Sequence, residues 1–339
     1  MLGPPSLPTR STNPDPTMEA LATSYDRFGQ PITRPALSDG DGSRKEKPES
    51  PPCSGSAMRL FLTESLPKPK YRELWEKTYV DPAIKTQLGN AMRFHASIRD
   101  LRISKRPVNG IYILTGEPGV GKTSLAMGAA NLYAECVRQL SNSQVCLLDV
   151  LGSEFFSDRL GQSAKAVRQA AETIGFVIAR QPAVVIMNEF DSVAMSRNKF
   201  GAGDPTELHR FVNEFLKTLD KLSASPNFLL IGTSNHPDSI DPAVFDRADV
   251  LWRLDYPNRD AAEAILMDRA KILRACGIQV SAEVISAFVA KLHSNPARPP
   301  RLSGRMLGRL LMLAVYRYGT KRVELEHLLR VARVLITGG

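Results

Sequence analysis

The sequence predicts an α/β fold: a parallel five-stranded sheet between helices, followed by a small all-helical domain. Five short apolar runs alternate with helical patterns between residues 111 and 254, as parallel strands joined by helical crossovers do. Beyond Pro257 the apolar runs give way to four helical patterns. A glycine-rich run, GEPGVGKTS, separates the first apolar run from the first long helical pattern, which places it at a strand-to-helix turn.

Composition indicates a soluble, globular, cytoplasmic protein. Hydrophobic residues make up 43% and charged residues 23% of the 339 positions, which is enough apolar material for a buried core. No apolar run approaches the roughly 20 residues that span a bilayer, so we expect no membrane association. The amino terminus shows no basic-then-apolar signal pattern. The four cysteines are scattered without metal-binding spacing and fit a reducing compartment.

Three segments are expected along the chain. Residues 1–57 are rich in Pro, Ser, Asp and Gly and lack periodicity, so we expect a disordered tail. Met18 and Met58 are alternative translation starts, and the ordered chain is expected to begin near the second. Residues 58–257 are predicted to form the α/β domain and residues 258–339 the helical domain.

The elements of the α/β domain follow from the spacing of apolar residues. Residues Pro82–His95 have a helical pattern, and a loop leads from there to Asn109. Strands are predicted at Ile111–Leu114, Val145–Val150, Ala183–Met187, Phe228–Gly232 and Val250–Leu254. Helices between them are predicted at Ser124–Leu140, Ser163–Arg180 and Thr206–Leu222.

The helical domain carries much of the net charge of +9. Its helices are predicted at Asp260–Ala275, Ala282–His293, Ser303–Tyr318 and Glu324–Leu335. From Lys291 onward the chain holds ten basic and two acidic residues. A basic helical end can bind nucleic acid, but here Leu and Val recur between the charges at helical spacing and aromatic residues are few. We therefore interpret the charges as a solvated face and do not expect a nucleic-acid partner.

The glycine-rich run fits the phosphate-binding pattern G-x-x-x-x-G-K-[ST]. Its glycines let backbone N–H groups face phosphate oxygens at the positive end of the next helix. Lys122 would place a charge on those phosphates, and Thr123 would place its hydroxyl on Mg²⁺. The predicted nucleotide-binding residues of the loop are Gly116, Pro118, Gly119, Val120, Gly121, Lys122, Thr123 and Ser124. The alternative is a glycine-rich turn with a chance Lys-Thr pair.

The strand at Ala183–Met187 ends in Asn188 and Glu189. P-loop enzymes place an Asp at the first of these positions to hold Mg²⁺, and many place a Glu at the second to activate water. Glu189 is in the water-activating position. Asn188 can still hydrogen-bond a metal-bound water, but it removes one negative charge beside the dication. Three interpretations stay open: hydrolysis with weaker Mg²⁺ affinity, a charge supplied by Asp191, or ATP binding with hardly any turnover.

Two polar residues follow the next strand. Asn235 ends the run LLIGTSN and could orient an attacking water. Arg247 follows a short helix, Pro242–Phe245, and in a ring could reach the γ-phosphate of a neighbouring subunit, where it would stabilise transition-state charge. Alternatively, it is a surface arginine paired with Asp246 or Asp249.

A fourth motif opens a helix of the second domain. The run LSGRMLGRL places Arg305 in the first helical turn. From there it could swing onto the γ-phosphate and couple the nucleotide state to the angle between the domains. Taken alone, this motif is a weak indication of a nucleotide site. It is a strong one when it follows the other three motifs in this order along the chain.

These four elements, in this order, resemble the AAA+ ATPases. The segments DPAVFDRADV (Asp241–Val250) and LSGR (Leu302–Arg305) are similar to those of the pachytene-checkpoint remodellers, the relatives of thyroid-receptor-interacting protein thirteen. The segments WEKTYVDPAIKTQLGNAM (Trp75–Met92) and SEFFSDRLGQSAK (Ser153–Lys165) agree with this. The resemblance covers the chain from about Tyr71 to its carboxyl end.

The resemblance implies an activity and partners. Members of that family form hexameric rings that use ATP and Mg²⁺ to open HORMA-domain proteins. Eukaryotic members carry a folded amino-terminal adaptor domain, where residues 1–57 offer only the expected tail. This shortened layout resembles the bacterial members, which accompany HORMA proteins and cyclic-oligonucleotide synthases in antiphage defence. There they switch the synthase off by dismantling its HORMA activator.

The resemblance also implies a role for each site residue. The water activator, the first sensor, the arginine finger and the second sensor would be Glu189, Asn235, Arg247 and Arg305, in that order. The metal-binding residues would be Thr123 and Asn188. The residues beside the adenine would be Tyr79 and Val80.

One position departs from the family. Arg159 and Leu160 align with the pore loop that grips substrate, where the family has an aromatic residue. Leu160 can still wedge against a threaded chain through apolar contact, although over less area than an aromatic ring. The alternative is that Leu160 is an ordinary buried contact.

The sequence is also compatible with two other functions. One is a nucleotide-gated scaffold whose Asn188 leaves it nearly inactive, and the other is a DNA-associated AAA+ protein that uses its basic helical end. The gripping-loop match at Ser153–Lys165 favours the remodeller over a simple DNA loader.

Overall fold

The structure is a computed structural model that describes residues 61–99, 101, 106–150, 162–194, 206–295 and 300–337. Two predictions concern residues outside these ranges. The disordered tail expected at residues 1–57 lies outside the described residues, and so do the pore-loop residues Arg159 and Leu160.

One sheet organises the α/β part of the described chain. Its strands are β1 Phe61–Leu66, β2 Ile111–Gly116, β3 Val145–Val150, β4 Ala183–Met187, β5 Phe228–Ser234 and β6 Val250–Leu254. They lie in the order β1-β3-β4-β5-β2-β6. The five predicted strands are all present and pair in parallel. The predicted fold class is therefore confirmed.

The edge strand β1 is an element that the sequence analysis does not predict. It runs antiparallel to β3, with Phe61 opposite Val150 and Leu66 opposite Val145. Only these two end residues of β1 are buried, and Leu62 is 60% exposed. Phe61 and Leu66 belong to the cores on opposite faces of the sheet, and the four residues between them are exposed or half-buried. The strand therefore lacks the continuous apolar run that marks the central strands.

The helices of the α/β part frame this sheet. They are α1 Pro69–Lys77, α2 Pro82–Ile98, α3 Lys122–Ser141, α4 Gln162–Ile178, α5 Phe190–Val193, α6 Thr206–Ser223 and α7 Pro242–Phe245. Proline at the first turn and a side-chain cap begin α2, where Asp81 accepts a hydrogen bond from the backbone N–H of Ala83 at 2.7 Å.

Both faces of the central strands β2, β4 and β5 are buried, as their apolar runs predict. Strand β4 shows the alternation that follows from its period of two residues. Val185 and Met187 belong to the core beneath α4 and α6, whereas Val184 and Ile186 belong to the core beneath α2 and α3. The sheet is therefore fixed on two sides, which holds the strand ends in a constant relation to one another.

The carboxyl-terminal segment is helical, as predicted. It contains α8 Arg259–Ala275, α9 Ala282–Leu292, α10 Gly304–Tyr318 and α11 Leu325–Thr337. These helices share a buried cluster of their own, which includes Leu266, Phe288, Leu310 and Leu328. The domain limits at 257 and 258 stay a prediction. No helix in the described ranges is long and apolar enough to cross a membrane.

Candidate functional site

The predicted site residues converge at the carboxyl edge of the sheet. Strands β4, β5 and β2 are neighbours and parallel, so their carboxyl ends lie side by side. A cavity of about 760 Å³ lies there between the strand ends and helices α1, α8 and α10. The predicted residues that line it are Tyr79, Pro118, Gly119, Val120, Gly121, Lys122, Thr123, Ser124, Asn188, Glu189, Asn235 and Arg305.

Three predicted residues do not line this cavity. Val80 packs against the core beneath α2 and α3. Gly116 ends strand β2, just before the loop. Arg247 lies at the carboxyl end of α7 and is described below. Most, but not all, of the predicted nucleotide-binding and catalytic residues therefore lie at one cavity.

The loop between β2 and α3 has the backbone that its glycines predict. Gly116, Gly119 and Gly121 have φ angles of 142°, 82° and 108°, a region that side chains disfavour. A methyl group on Gly119 would lie 2.9 Å from Ser303 Oγ. Gly121 is the N-cap of α3, whose first turn carries no acidic residue. The amino end of α3, with its positive partial charge, therefore faces the cavity.

Lys122 lies inside this loop. Its Nζ donates to the carbonyl oxygens of Gly116 at 2.7 Å and Glu117 at 2.9 Å, and the residue is only 7% exposed. Burial lowers the pKa of this ammonium. Within the described ranges no carboxylate forms an ion pair with it. A buried cation that donates to carbonyl oxygens and has no direct carboxylate partner is a suitable partner for a phosphate.

Asn188 is the centre of a polar network. Its Oδ1 accepts hydrogen bonds from the hydroxyls of Thr123 at 2.9 Å and Thr233 at 3.1 Å, and its Nδ2 donates to Asp149 Oδ1 at 3.2 Å. Burial raises the pKa of the Asp149 carboxyl, and the hydrogen bond from Asn188 counteracts part of that rise. The sequence analysis identified Thr123 and Asn188 but not Asp149 or Thr233.

Glu189 has an unusual backbone. Its φ of 53° and ψ of 46° are left-handed, which is uncommon for a residue other than glycine. The next residue, Phe190, is fully buried and packs so closely on β5 that a methyl group at Gly232 would lie 2.9 Å from its ring. This packing fixes the turn after β4 and leaves the exposed Glu189 side chain at the cavity wall.

The start of α10 rests on the phosphate-binding loop. The backbone N–H of Arg305 donates to the Gly119 carbonyl at 3.1 Å. Ser303 caps the helix by accepting from the N–H of Met306 at 3.3 Å. Arg305 thus lies at the cavity wall, in the first turn of α10, as predicted.

Arg247 forms an ion pair that the sequence analysis did not predict. Its Nε and Nη2 donate to the two carboxylate oxygens of Asp220, on α6, at 2.7 and 2.9 Å. The alternative that Arg247 pairs with Asp246 or Asp249 is therefore wrong, because its partner is Asp220. Asp249 instead accepts hydrogen bonds from the backbone N–H groups that open β2, including that of Gly110 at 2.6 Å.

The chemistry of the cavity is therefore that of a phosphate and a hard cation. The α3 amino end, Lys122 and Arg305 supply positive charge, while Thr123 and Asn188 supply neutral oxygens of the kind that Mg²⁺ prefers. Among the described residues no group of three or more His, Cys, Asp or Glu could hold a metal by itself. A cation here would take some of its ligands from the protein and the others from the phosphates of a nucleotide.

Comparison with known sequences agrees with this geometry. The family described as "ATPase family associated with various cellular activities (AAA)" matches residues 112–256. CD-NTase-associated protein 6 of Pseudomonas aeruginosa is 32% identical over 207 residues, which are 60% of this chain and 67% of that protein. The pachytene checkpoint protein 2 homolog of Danio rerio is 30% identical over 212 residues, 61% of this chain and 49% of that protein. The chain spans about half the length of the pachytene-checkpoint relatives it matches.

Solved structures share the fold. A chain in the structure of the E. coli MS115-1 HORMA:CdnC:Trip13 complex aligns with a TM-score of 0.67 at 17% identity, over 83% of this chain and 97% of that one. The structure of C. elegans PCH-2 aligns with a TM-score of 0.66 at 20% identity, over 81% of this chain and 74% of that one. The sequence matches show the family, and the shared fold agrees with them. The chain belongs to the AAA ATPases, in the group of CD-NTase-associated protein 6 and pachytene checkpoint protein 2.

Proposed function

We propose that this AAA ATPase is a ring-forming remodeller that partly unfolds or opens a HORMA-domain partner, and that it thereby restrains a cyclic-oligonucleotide synthase of antiphage defence. The observation that carries the proposal is the convergence of the phosphate-binding loop, Glu189, Asn235 and Arg305 on one cavity. The partner class is supported by the 32% identity to CD-NTase-associated protein 6. The cytoplasm, with its ATP supply, is the expected location.

The proposed reaction is hydrolysis of ATP at the carboxyl edge of the sheet. The loop N–H groups and Lys122 would hold the phosphates, and Thr123 with Asn188 would hold Mg²⁺, which supplies charge neutralisation for the leaving and transferring phosphoryl groups. Glu189 would accept the proton of the attacking water, and Asn235 would orient that water. Tyr79 would contact the adenine, since it lines the cavity two residues after the end of α1.

Two arginines would complete the site from different directions. Arg305 would reach the γ-phosphate from α10 of the same chain, beside the loop that it already contacts through Gly119. Arg247 lies away from its own chain's cavity, so it would act on the nucleotide of a neighbouring subunit in a homo-hexamer. It would then have to exchange its ion pair with Asp220, which is 55% exposed, for the phosphate. Arg247 is only 28% exposed, binds both carboxylate oxygens and also donates from Nη1 to the Ala243 carbonyl at 2.7 Å. The exchange would therefore cost more than the about 0–1 kcal/mol of an exposed pair, and the charge of the phosphate would offset that cost.

The test is steady-state ATP hydrolysis with a titration of Mg²⁺. We expect turnover above that of Lys122→Ala, which loses the phosphate-binding charge. Turnover equal to that of Lys122→Ala would instead support the nucleotide-gated scaffold, a function that the neutral Asn188 favours. Mg²⁺ in the millimolar range should be included, because the site offers no resident carboxylate ligand at Asn188.

The partner class needs a separate experiment. Glu189→Gln should bind ATP without hydrolysing it and so retain its substrate. Mixed with a purified HORMA-domain protein and ATP, it should form a complex that survives gel filtration. Glu283→Gln, the same change at an exposed position that begins α9, is the matched control and should release the partner as the wild type does. No complex with Glu189→Gln would contradict the remodelling proposal.

A further inference from the structure

The neutral Asn188 has an acidic neighbour that lies outside the cavity. Strands β3 and β4 are parallel partners, with Asp149 opposite Ile186 in register. This brings the Asp149 carboxylate to 3.2 Å from Asn188 Nδ2. Asn188 lines the nucleotide cavity and Asp149 does not. Among the described residues, the direct contact between Asp149 and the cavity lining is its hydrogen bond with the Asn188 amide.

The contacts of Asn188 fix which end of its amide faces the nucleotide. The hydroxyls of Thr123 and Thr233 can each donate or accept, so they would tolerate either orientation. An ionised carboxylate only accepts, so the NH₂ group must face Asp149. The amide oxygen then faces Thr123, the residue whose hydroxyl is expected on the cation. Among the described contacts of Asn188, the one with Asp149 alone imposes this orientation.

Asp149 also changes the charge of the amide oxygen. A hydrogen bond to an ionised acceptor is stronger than a neutral one and polarises the group that donates it. Donation from Asn188 to a carboxylate therefore makes Asn188 Oδ1 more negative and a better ligand for a cation or for its water. This restores part of what the missing carboxylate at position 188 would supply.

We propose that Asp149 is a positioning residue for Asn188. Together the two residues replace the single Mg²⁺-binding aspartate that P-loop enzymes have at the place of Asn188. Asp149 turns the amide oxygen toward Thr123 and the divalent cation and keeps the NH₂ group away from it. The proposal rests on the nucleotide site proposed above. It also assigns the missing negative charge to Asp149 rather than to Asp191, because among the described contacts Asn188 donates to Asp149 and makes no hydrogen bond with Asp191.

The test uses the full-length protein and a non-hydrolysable fluorescent ATP analogue. The variant Asp149→Asn keeps the shape and a hydrogen bond to Asn188 but removes the charge and the orientation. We expect its affinity for the analogue in EDTA and its thermal unfolding midpoint to match the wild type. We expect its affinity for Mg²⁺, or for Mn²⁺ followed by electron paramagnetic resonance, to fall about 10- to 100-fold, as when hydrogen-bond partners of metal ligands are removed in other sites.

The exchange Asp149→Asn/Asn188→Asp provides the decisive comparison. It returns a carboxylate to the cation and an amide to the partner position, so Mg²⁺ affinity should recover at least to the wild-type value. Asp260→Asn, at an exposed position in the first turn of α8, is the matched control for loss of one negative charge. It should bind Mg²⁺ as the wild type does.

Three results would overturn the inference. The first is Mg²⁺ affinity that Asp149→Asn leaves unchanged, and the second is an exchange variant no better than Asp149→Asn. The third is a loss of Mg²⁺ affinity in Asp191→Asn alone, which would assign the charge to Asp191. A wild type that binds no nucleotide even with Mg²⁺ would instead contradict the proposed function together with the inference.

Discussion

Acid should destabilise this protein through one buried histidine, His95 of α2. The side chain is fully buried, and its Nε2 lies 3.1 Å from the carbonyl oxygen of Phe228 and 3.4 Å from the guanidinium of Arg106. Burial, with a smaller contribution from the Arg106 charge, lowers the pKa of His95 from 6.5 to about 4. The folded protein therefore keeps His95 neutral at a pH where the unfolded chain protonates it.

The sign and size of the effect follow from proton linkage. Between pH 6.5 and 4 the unfolded state binds more protons than the folded state, so the free energy of unfolding falls as the pH falls. Relative to pH 7.5, the loss from His95 alone is about 2 kcal/mol at pH 5 and about 3 kcal/mol at pH 4, from the two pKa values. A loss of this size is a large part of the stability of a typical domain.

Urea unfolding at pH 7.5 and pH 5 measures this loss in the free energy of unfolding. Fluorescence of Trp252, which stacks on Tyr112 in the same aromatic cluster as His95, reports unfolding of this region. His95→Gln keeps a donor toward the Phe228 carbonyl but cannot be protonated, so its loss between the two pH values should be about 2 kcal/mol smaller than that of the wild type. His236→Gln, at an exposed position, is the control. Equal pH dependence in the wild type and His95→Gln would refute the reasoning.

Three further predictions concern the site. Gly119→Ala, whose methyl group would meet Ser303 Oγ at 2.9 Å at a φ of 82°, should weaken binding of a fluorescent ATP analogue about tenfold. If the proposed ring forms, Arg247→Ala should lower its ATP turnover by about 10³-fold with nucleotide affinity unchanged, whereas Asp220→Asn, which removes the ion pair of the arginine, should retain turnover. Phe190→Ala should lower the free energy of unfolding by about 3–5 kcal/mol in urea titrations, because it empties the space against β5; a loss below about 1 kcal/mol would contradict that packing.

The sequence predicts the features of this fold that depend on neighbouring positions along the chain. The central strands are apolar on both faces, so strands such as Ala183–Met187 could be bounded correctly without knowledge of their partners. The phosphate-binding loop depends on glycines within nine consecutive residues, and their left-handed backbone follows from the same spacing. The edge strand Phe61–Leu66 has no such pattern, because only its two ends are buried.

The features that the sequence analysis missed depend on distant segments. Asp149 contacts Asn188 only because β3 lies next to β4, and strand order cannot be derived from periodicity. Likewise, Arg247 pairs with Asp220, 27 positions earlier on α6, and not with the acidic residues beside it in the chain. A lone Asp in the otherwise apolar run VCLLDV was the available signal for the first contact. The ion pair of Arg247 had no signal of this kind.

The phosphate-binding loop is hydrogen-bonded directly to the start of α10, so the loop and the helical segment are connected. Arg305 donates its backbone N–H to the Gly119 carbonyl, and Ser303, which caps the same helix, packs against Gly119. Farther along α10, Leu307 and Leu310 are buried in the cluster that unites α8 to α11. Close-packed clusters transmit displacement because they do not deform continuously. A shift of Gly119 would therefore either break the contact at the start of α10 or displace that helix together with the cluster in which it packs.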